Sequence, residues 1–394
     1  MSQQISLDYR RHAAEDVLDR TVPNIRKLSP DLRRPRTIPP KQLSQYQRFL
    51  WKLKHDSQVL RSTVQLSFVL LCIWIGIEFY LFMQWGLSGG STSLSSRPPG
   101  AEGFLPISAL MSLKYWLDTG IVNQIHPSGF FIFLAIAAVS LVLKKAFCSW
   151  LCPIGTLSES LWMLGERLFG RNPRITKWLD TPLRSLKYLL LFFFAFAIWR
   201  MDVPSMKAFI ESPYNRMADV KMYLFFAHIT STALWTILIL MVFSIVVKNF
   251  WCRYLCPYGA LLGFFSILSP IKITRQKSMC IDCELCTKAC PAGIKVHIAG
   301  RVWSDECTAC MKCVEDCPVK NTLDLRTPHG SKAVPSWVFG CLVGGVFGAI
   351  TGLAMLSGSW QNNITKEEYQ TRFQQLESPA YSHPFSGTGN YGPN

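Results

Sequence analysis

Twelve of the fourteen cysteines in this 394-residue chain fall in spaced motifs. The densest motif reads Cys280-Ile-Asp-Cys283-Glu-Leu-Cys286-Thr-Lys-Ala-Cys290-Pro291. It returns as Cys307-Thr-Ala-Cys310-Met-Lys-Cys313-Val-Glu-Asp-Cys317-Pro318. This is C-x2-C-x2-C-x3-C-P twice, the spacing with which thiolates hold two [4Fe-4S] clusters. Two-residue gaps let one tight loop wrap three thiolates around a face of a cubane. The fourth cysteine opens a helix aimed at the other cluster, and proline suits that first turn. Crossed ligation assigns Cys280, Cys283, Cys286 and Cys317 to cluster one, and Cys307, Cys310, Cys313 and Cys290 to cluster two. Zinc sites use two C-x2-C pairs or Cys/His mixtures, which leaves the third cysteine and the proline unexplained.

Two shorter boxes read Lys144-Lys-Ala-Phe-Cys148-Ser-Trp-Leu-Cys152-Pro153-Ile-Gly155 and Lys248-Asn-Phe-Trp-Cys252-Arg-Tyr-Leu-Cys256-Pro257-Tyr-Gly259. Lysine, both cysteines, leucine, proline and glycine match at the same offsets, so each apolar segment and its box form one copy of an internal repeat. Both segments descend to the same face, which makes them parallel repeats about an axis along the membrane normal. On a helix, C-x3-C sets both sulfurs on one side. Cys148, Cys152, Cys252 and Cys256 are therefore candidates for a further metal centre or for redox-active thiols. Lys144, Lys145, Lys248 and Arg253 are expected to favour their thiolates. Cys72 and Cys341 stand alone in apolar segments and read as small core residues.

The elements that must position these groups are membrane helices. Charged residues make up only 17% of the chain and hydrophobic ones 49%, against about 25% charged in soluble domains. Five apolar runs stand out: Thr63–Trp85, Ser128–Leu143, Lys187–Trp199, Met222–Val247 and Trp337–Leu356, near the length a membrane helix needs. With the N-terminus cytoplasmic, inner segments carry 33 Lys and Arg and outer segments 8, which favours N-in, C-out. The fold expected is mainly α: a polytopic membrane helix bundle with a cytoplasmic bacterial-type 2[4Fe-4S] ferredoxin domain. Its parts are a basic cytoplasmic arm (1–61), a four-span membrane domain (62–270), the ferredoxin domain (271–334), a fifth span (335–357) and a periplasmic tail (358–394). Fourteen cysteines without an apolar signal core exclude a small secreted disulfide scaffold and call for a reducing compartment. The net charge of +16 sits on membrane-flanking segments, where it meets anionic headgroups; no nucleic-acid motif accompanies it.

Three ionisable residues in or near the spans are candidates for a quinol or proton site. Glu78 lies inside the first span, where burying a charge is costly. His126 begins the second span and His228 lies in the outer part of the fourth. Gly340, Gly344, Gly348 and Gly352 form a small-residue face for close helix contact. Phe104–Asp118 reads as an interfacial helix, Thr365–Leu376 as a polar helix, and Pro379–Asn394 as a loop open to a partner.

Together the spans, the paired C-x3-C-P boxes and the two ferredoxin motifs, over about residues 62–357, resemble the membrane polyferredoxins. That group includes the NapH-like quinol-dehydrogenase component of periplasmic nitrate reductase, the membrane half of the nitrous-oxide reductase regulator, and the CcoG-type oxidase-assembly ferredoxin. The resemblance implies an inner-membrane protein passing electrons between a quinol pool or cytoplasmic donor and a partner redox protein, periplasmic in some members. The chain lacks a flavin-attachment motif, a C-x-x-C-H haem site and a long periplasmic domain before the first span. Two other function classes compete: a metal reductase or maturation factor working through the box thiols, and a membrane anchor whose clusters are structural.

Overall fold

The computed structural model describes residues 42–381 apart from 93–95, 171, 174 and 329–332, together with 34, 39 and 40. The basic arm before residue 34 and the tail beyond 381 lie outside the described residues. The chain is mostly helical. α1 (Gln45–His55) begins at a capping box made by Ser44 and Gln47, and α2 (Ser57–Leu87) begins where Asp56 accepts from the amides of Gln58 and Val59. A 3-10 turn (Pro99–Phe104), α3 (Pro106–Thr119) and α4 (Pro127–Leu143) follow. The first box contributes α5 (Phe147–Trp150) and opens α6 (Pro153–Phe169), followed by α7 (Lys177–Trp199). α8 (Val203–Glu211), α9 (Pro213–Arg216), α10 (Ala218–Ala227) and α11 (Ser231–Val246) lead to the second box, which forms a π-turn (Trp251–Leu255) before α12 (Pro257–Leu268). The cysteine domain holds β1 (Lys272–Arg275), α13 (Leu285–Ala289), α14 (Lys312–Glu315) and β2 (Leu323–Arg326). β1 pairs antiparallel with β2 in the register Lys272↔Arg326 to Arg275↔Leu323. α15 (Ser336–Leu356) and α16 (Lys366–Gln374) complete the chain.

Among the described residues, three helices are long and apolar enough to cross a membrane: α2, α7 from Trp178, and α15. Their unpartnered faces are apolar, with Leu70, Trp74 and Ile77 on α2 and Phe192, Phe193 and Phe196 on α7 all exposed, as lipid contact requires. The five expected spans are not five uninterrupted helices. α10 and α11 qualify only together and are bent by 83° at their junction. There the Thr230 hydroxyl accepts from the Ala233 amide and starts a new helix. α4, the second expected span, is a shorter apolar helix of 17 residues, about 26 Å long. The third expected span is longer than its strictly apolar part, because α7 begins ten residues earlier.

The two repeats exchange their trailing helices. α12 of the second repeat packs on α4 of the first, and α6 of the first packs on α11 of the second. α4 also packs on α15 and α3, which puts it at the centre of the bundle. Two apolar cores lie at opposite ends of α2. Leu60, Val64 and Phe68 join the core built on Trp150, Phe147, Phe339 and the cysteine loops. Phe79, Phe82, Met83 and Trp85 join a second core with Met206, Met217, Tyr369 and Phe373. The tail helix α16 is thereby packed against α2, and Tyr381 is buried with it. The loop expected from Pro379 onward is therefore tied down as far as Tyr381. Of the four aligned glycines on α15, only Gly340 faces a close neighbour, the Trp150 ring and Leu60; Gly344, Gly348 and Gly352 face open space.

A buried ionic cluster holds the second core together. Arg97 bonds Asp219 at 2.5 Å and Glu102 at 2.9 Å. Glu102 also accepts from the Ser128 hydroxyl and the Gly129 amide at the start of α4. Burial opposes ionisation of Glu102, but Arg97 and hydrogen bonds from His126 and Ser128 overcome it and hold the carboxyl at about 2. A carboxyl lowered from 4.5 stabilises the fold above its ordinary value and loses that contribution as pH falls from 4.5 towards 2, in total about 3 kcal/mol. Thermal unfolding of the detergent-solubilised protein should show this decline. Arg97→Met should lower stability at neutral pH by about 3–5 kcal/mol, because it strands two buried carboxylates.

Candidate functional site

The cysteine domain builds two matching loops. Asp282 and Glu284 flank Cys283 with φ of 51° and 60°, and Ala309 and Met311 flank Cys310 with φ of 49° and 59°. Left-handed residues are uncommon outside glycine. Here they occur at the same two offsets in each motif, and they curl each loop so that its thiols face inward. Two cavities result. One is lined by Cys280, Cys283, Cys286 and Cys317, with Arg275, Glu284 and His297 beside them. The other is lined by Cys290, Cys307, Cys310 and Cys313. Each draws three thiols from one motif and the fourth from the other.

Among the described residues, no three His, Cys, Asp or Glu side chains come close enough to share a single metal ion. Thiolates around one zinc sit only about 3.8 Å apart by tetrahedral geometry, whereas a cubane spreads its ligands wider. Four cysteines around one cavity fit the ligand set of a [4Fe-4S] cluster. Burial, with added repulsion from neighbouring thiols, pushes the free Cys286 thiol up to about 11 and Cys290 to about 12. Metal binding must therefore displace protons here.

The boxes do not form continuous helices, contrary to the one-sided helix expected of C-x3-C. Cys148 lies in the four-residue α5, and Cys252 in the π-turn. Cys152 and Cys256 have extended backbones and are the N-caps of α6 and α12. Proline causes the break, since it forces the preceding residue into an extended conformation and then opens a helix. Each cap sulfur accepts an amide hydrogen bond, Cys152 Sγ from Gly155 at 3.4 Å and Cys256 Sγ from Gly259 at 3.2 Å. The glycine of each box has a structural cause. A Cβ at Gly155 would lie 2.1 Å from the Cys148 carbonyl oxygen, and one at Gly259 would lie 3.3 Å from that of Cys252.

The four box thiols act on one another across the two repeats. Cys148 feels Cys252 and Cys256, and Cys152 feels Cys148 and Cys256. The expected cationic environment is only partly realised. Lys145 acts on both Cys148 and Cys256, but Lys248 pairs with Glu166 and sits over Trp162. Arg253 pairs with Asp180, and Lys144 donates to the carbonyls of Trp303 and Ser304. Desolvation outweighs the lysines at Cys148 and the amide hydrogen bonds at Cys152, so both free thiols are pushed up to about 12 rather than ionised.

The boxes abut the cluster-two loop directly. Ser149 Oγ donates to the Thr308 carbonyl at 2.6 Å, Trp150 Nε1 to Ala309 at 3.2 Å, and Gln58 Nε2 to Cys310 at 2.9 Å. Two buried ionic clamps flank this contact. Glu159 on α6 takes Arg61 through both oxygens, at 2.6 and 2.8 Å, and Lys312 at 2.7 Å. Glu306, beside Cys307, takes Lys187 at 2.5 Å and Lys145 at 3.8 Å. Neither clamp acid stood out in the sequence, because their partners come from three separate helices and the turn after α4. The three quinol or proton candidates are not gathered into one site. His126 is buried, with Nδ1 facing Glu102 at 3.4 Å and Nε2 bonded to the Asn215 carbonyl. Glu78 takes a hydrogen bond from Trp74 on α2, and His228 is exposed at the bend between α10 and α11.

A family profile described as a 4Fe-4S binding domain matches residues 125–172 and again 230–276, once over each box. A 4Fe-4S dicluster domain profile matches residues 272–318. YccM of Escherichia coli (strain K12), provisionally named an electron transport protein, is 43% identical over 330 residues, 82% of this chain and 92% of that protein. The chain belongs to the membrane polyferredoxin family. More distant relatives include NirI of Paracoccus denitrificans, 29% identical over 59% of this polyferredoxin and 32% of NirI. The ferredoxin-type protein NapH of Haemophilus influenzae is 23% identical over 45% of this chain and 61% of its own length. No solved structure matches. The polyferredoxin is thus a membrane iron–sulfur protein of electron transport.

The two box glycines should respond unequally to substitution. Gly155→Ala collides with backbone and should cost about 1–3 kcal/mol, whereas Gly259→Ala needs a shift of only tenths of an ångström. Thermal unfolding midpoints of the two variants measure the difference.

Proposed function

We propose that the polyferredoxin carries electrons one at a time through a linear series of three iron–sulfur centres. Cys148, Cys152, Cys252 and Cys256 hold the first, at the membrane boxes. Cys290, Cys307, Cys310 and Cys313 hold the next, and Cys280, Cys283, Cys286 and Cys317 hold the last. The observation that carries this reading is the direct bonding of Ser149 and Trp150, inside the first box, to Thr308 and Ala309, inside the cluster-two loop. A [4Fe-4S] cluster bound at each set supplies one-electron redox chemistry at a potential set by its surroundings. The chain's own residues hold the sets in a fixed order, exclude water around Trp150 and Phe339, and leave the cluster-one set on the side away from the boxes.

The membrane end of the series serves a quinol pool and the exposed end a partner redox protein or a cytoplasmic donor. The boxes and the cysteine domain lie on the cytoplasmic side of the inner membrane, with α16 on the periplasmic side; the excess of Lys and Arg in the segments flanking the boxes supports this. A reporter fused after Asn394 should then behave as periplasmic and one inserted near Ser278 as cytoplasmic.

Iron analysis and low-temperature spectroscopy test the centres. Purified protein should hold about twelve iron atoms, four per cluster. Cys290→Ser and Cys310→Ser should alter the same spectral component, and Cys317→Ser and Cys283→Ser another. Eight iron atoms with unperturbed spectra after Cys148→Ser would reject the centre at the boxes. Copper(II) reduction lost with Cys148 and Cys252, in protein of only eight iron atoms, would point instead to a metal reductase working through thiols.

A further inference from the structure

Lys145 and Lys187 occupy an unusual place. Both are buried, at 4% and 0% exposure. Lys145 comes from the turn after α4 and donates to the Gly259 carbonyl at 3.2 Å, so it bridges the first box to the second. Lys187 comes from the middle of α7. The two share one carboxylate, Glu306. The next charges out, Lys144 and Asp305, are of opposite sign; Asp305 is bonded by the Tyr188 hydroxyl. The group therefore keeps one positive charge in excess. A buried cation without full compensation is costly, and the further carboxylate that acts on the pair, Asp305, is shared with Lys144. What the cations do face is sulfur, since both lysines act on Cys148 and on Cys256, one thiol from each repeat. Four thiolates around an oxidised [4Fe-4S] core carry a formal double negative charge, which is the missing counterpart.

We propose that Lys145 and Lys187, spaced by Glu306, are the counter-charges of the box centre and set its reduction potential. They are positioning residues and touch no electron carrier covalently. The inference rests on the reading that the boxes hold an iron–sulfur centre. Reduction adds one electron, supplied by the preceding carrier, and makes the centre more negative without forming or breaking a bond. A nearby cation in a water-poor setting favours that added charge, and a nearby carboxylate opposes it. Glu306 lies between the boxes and Cys307, so it acts on both neighbouring centres, whereas cluster one lies beyond and serves as the internal reference.

Redox titration of the full-length protein in detergent, followed by electron paramagnetic resonance, tests this. Lys187→Gln should move the box-centre midpoint to lower potential, Glu306→Gln should move it higher, and Lys187→Arg should leave it near the wild-type value. The cluster-one midpoint should stay fixed in all three. Loss of the box centre in Lys187→Gln with retention in Lys187→Arg also supports the proposal, because charge alone separates those variants. The proposal is overturned if the box centre is present with an unchanged midpoint in Lys187→Gln and Glu306→Gln. It is equally overturned if cluster one shifts as far as the box centre, or if Lys187→Arg loses the centre. A wild-type protein of eight iron atoms with no third signal would instead sink the reading on which the inference rests.

Discussion

Charge that leaves water must meet its opposite, and this constraint organises the seam between the membrane helices and the cysteine domain. Two carboxylates carry it. Glu159 belongs to the membrane part and receives Lys312 of the cysteine domain, while Glu306 belongs to the cysteine domain and receives Lys145 and Lys187 of the membrane part. Because the donors and acceptors alternate between the two parts, sliding the domain by one residue would strand charges of both signs. Buried pairs of this kind add little net stability over apolar packing but penalise every alternative register. In that register Ser149, Trp150 and Gln58 donate to successive carbonyls of the Thr308–Cys310 stretch.

Much of the chemistry was legible in the sequence because it resides in spacing along the chain. The cysteines that crossed ligation names line common cavities, and thiols of the two boxes act on one another. What failed to show was anything depending on backbone breaks or on distant pairing. A C-x3-C pair suggests one helix face, yet Pro153 and Pro257 place each break just at the second cysteine, which becomes a cap. Hydropathy marked Met222–Val247 as one span because it averages over the His228–Thr230 interruption, where Thr230 starts a second helix. The cations of the boxes promised ionised thiols, but burial dominates and three of the four cations are bound elsewhere. Glu102, Glu159 and Glu306 carry no local signature at all, since their roles are defined by residues about 5 to 160 positions away in sequence.

The far end of the bundle solves the same problem with different residues. Arg97 joins Glu102 and Asp219 within a core closed by Tyr369 and Phe373 from the tail. His126, a candidate for quinol chemistry in the sequence, is built into this cluster through Glu102 and the Asn215 carbonyl. Its position at the head of α4 explains why a histidine precedes the proline there: the ring anchors the central helix to α9 rather than projecting into lipid.

The exchange of trailing helices between the repeats has a consequence for how the protein is made. α6 meets its partner in the other repeat only when α11 has emerged from the ribosome, and α4, already able to pack on α3, meets α12 later still. The same dependence runs through the cysteines, since the set begun by Cys280 is closed by Cys317, downstream of the whole second motif. Neither cavity of the cysteine domain has its four thiols until the second motif has been made. Cluster loading at these cavities therefore follows synthesis of both motifs, and a pause between Cys280 and Cys317 leaves bare thiols in need of protection.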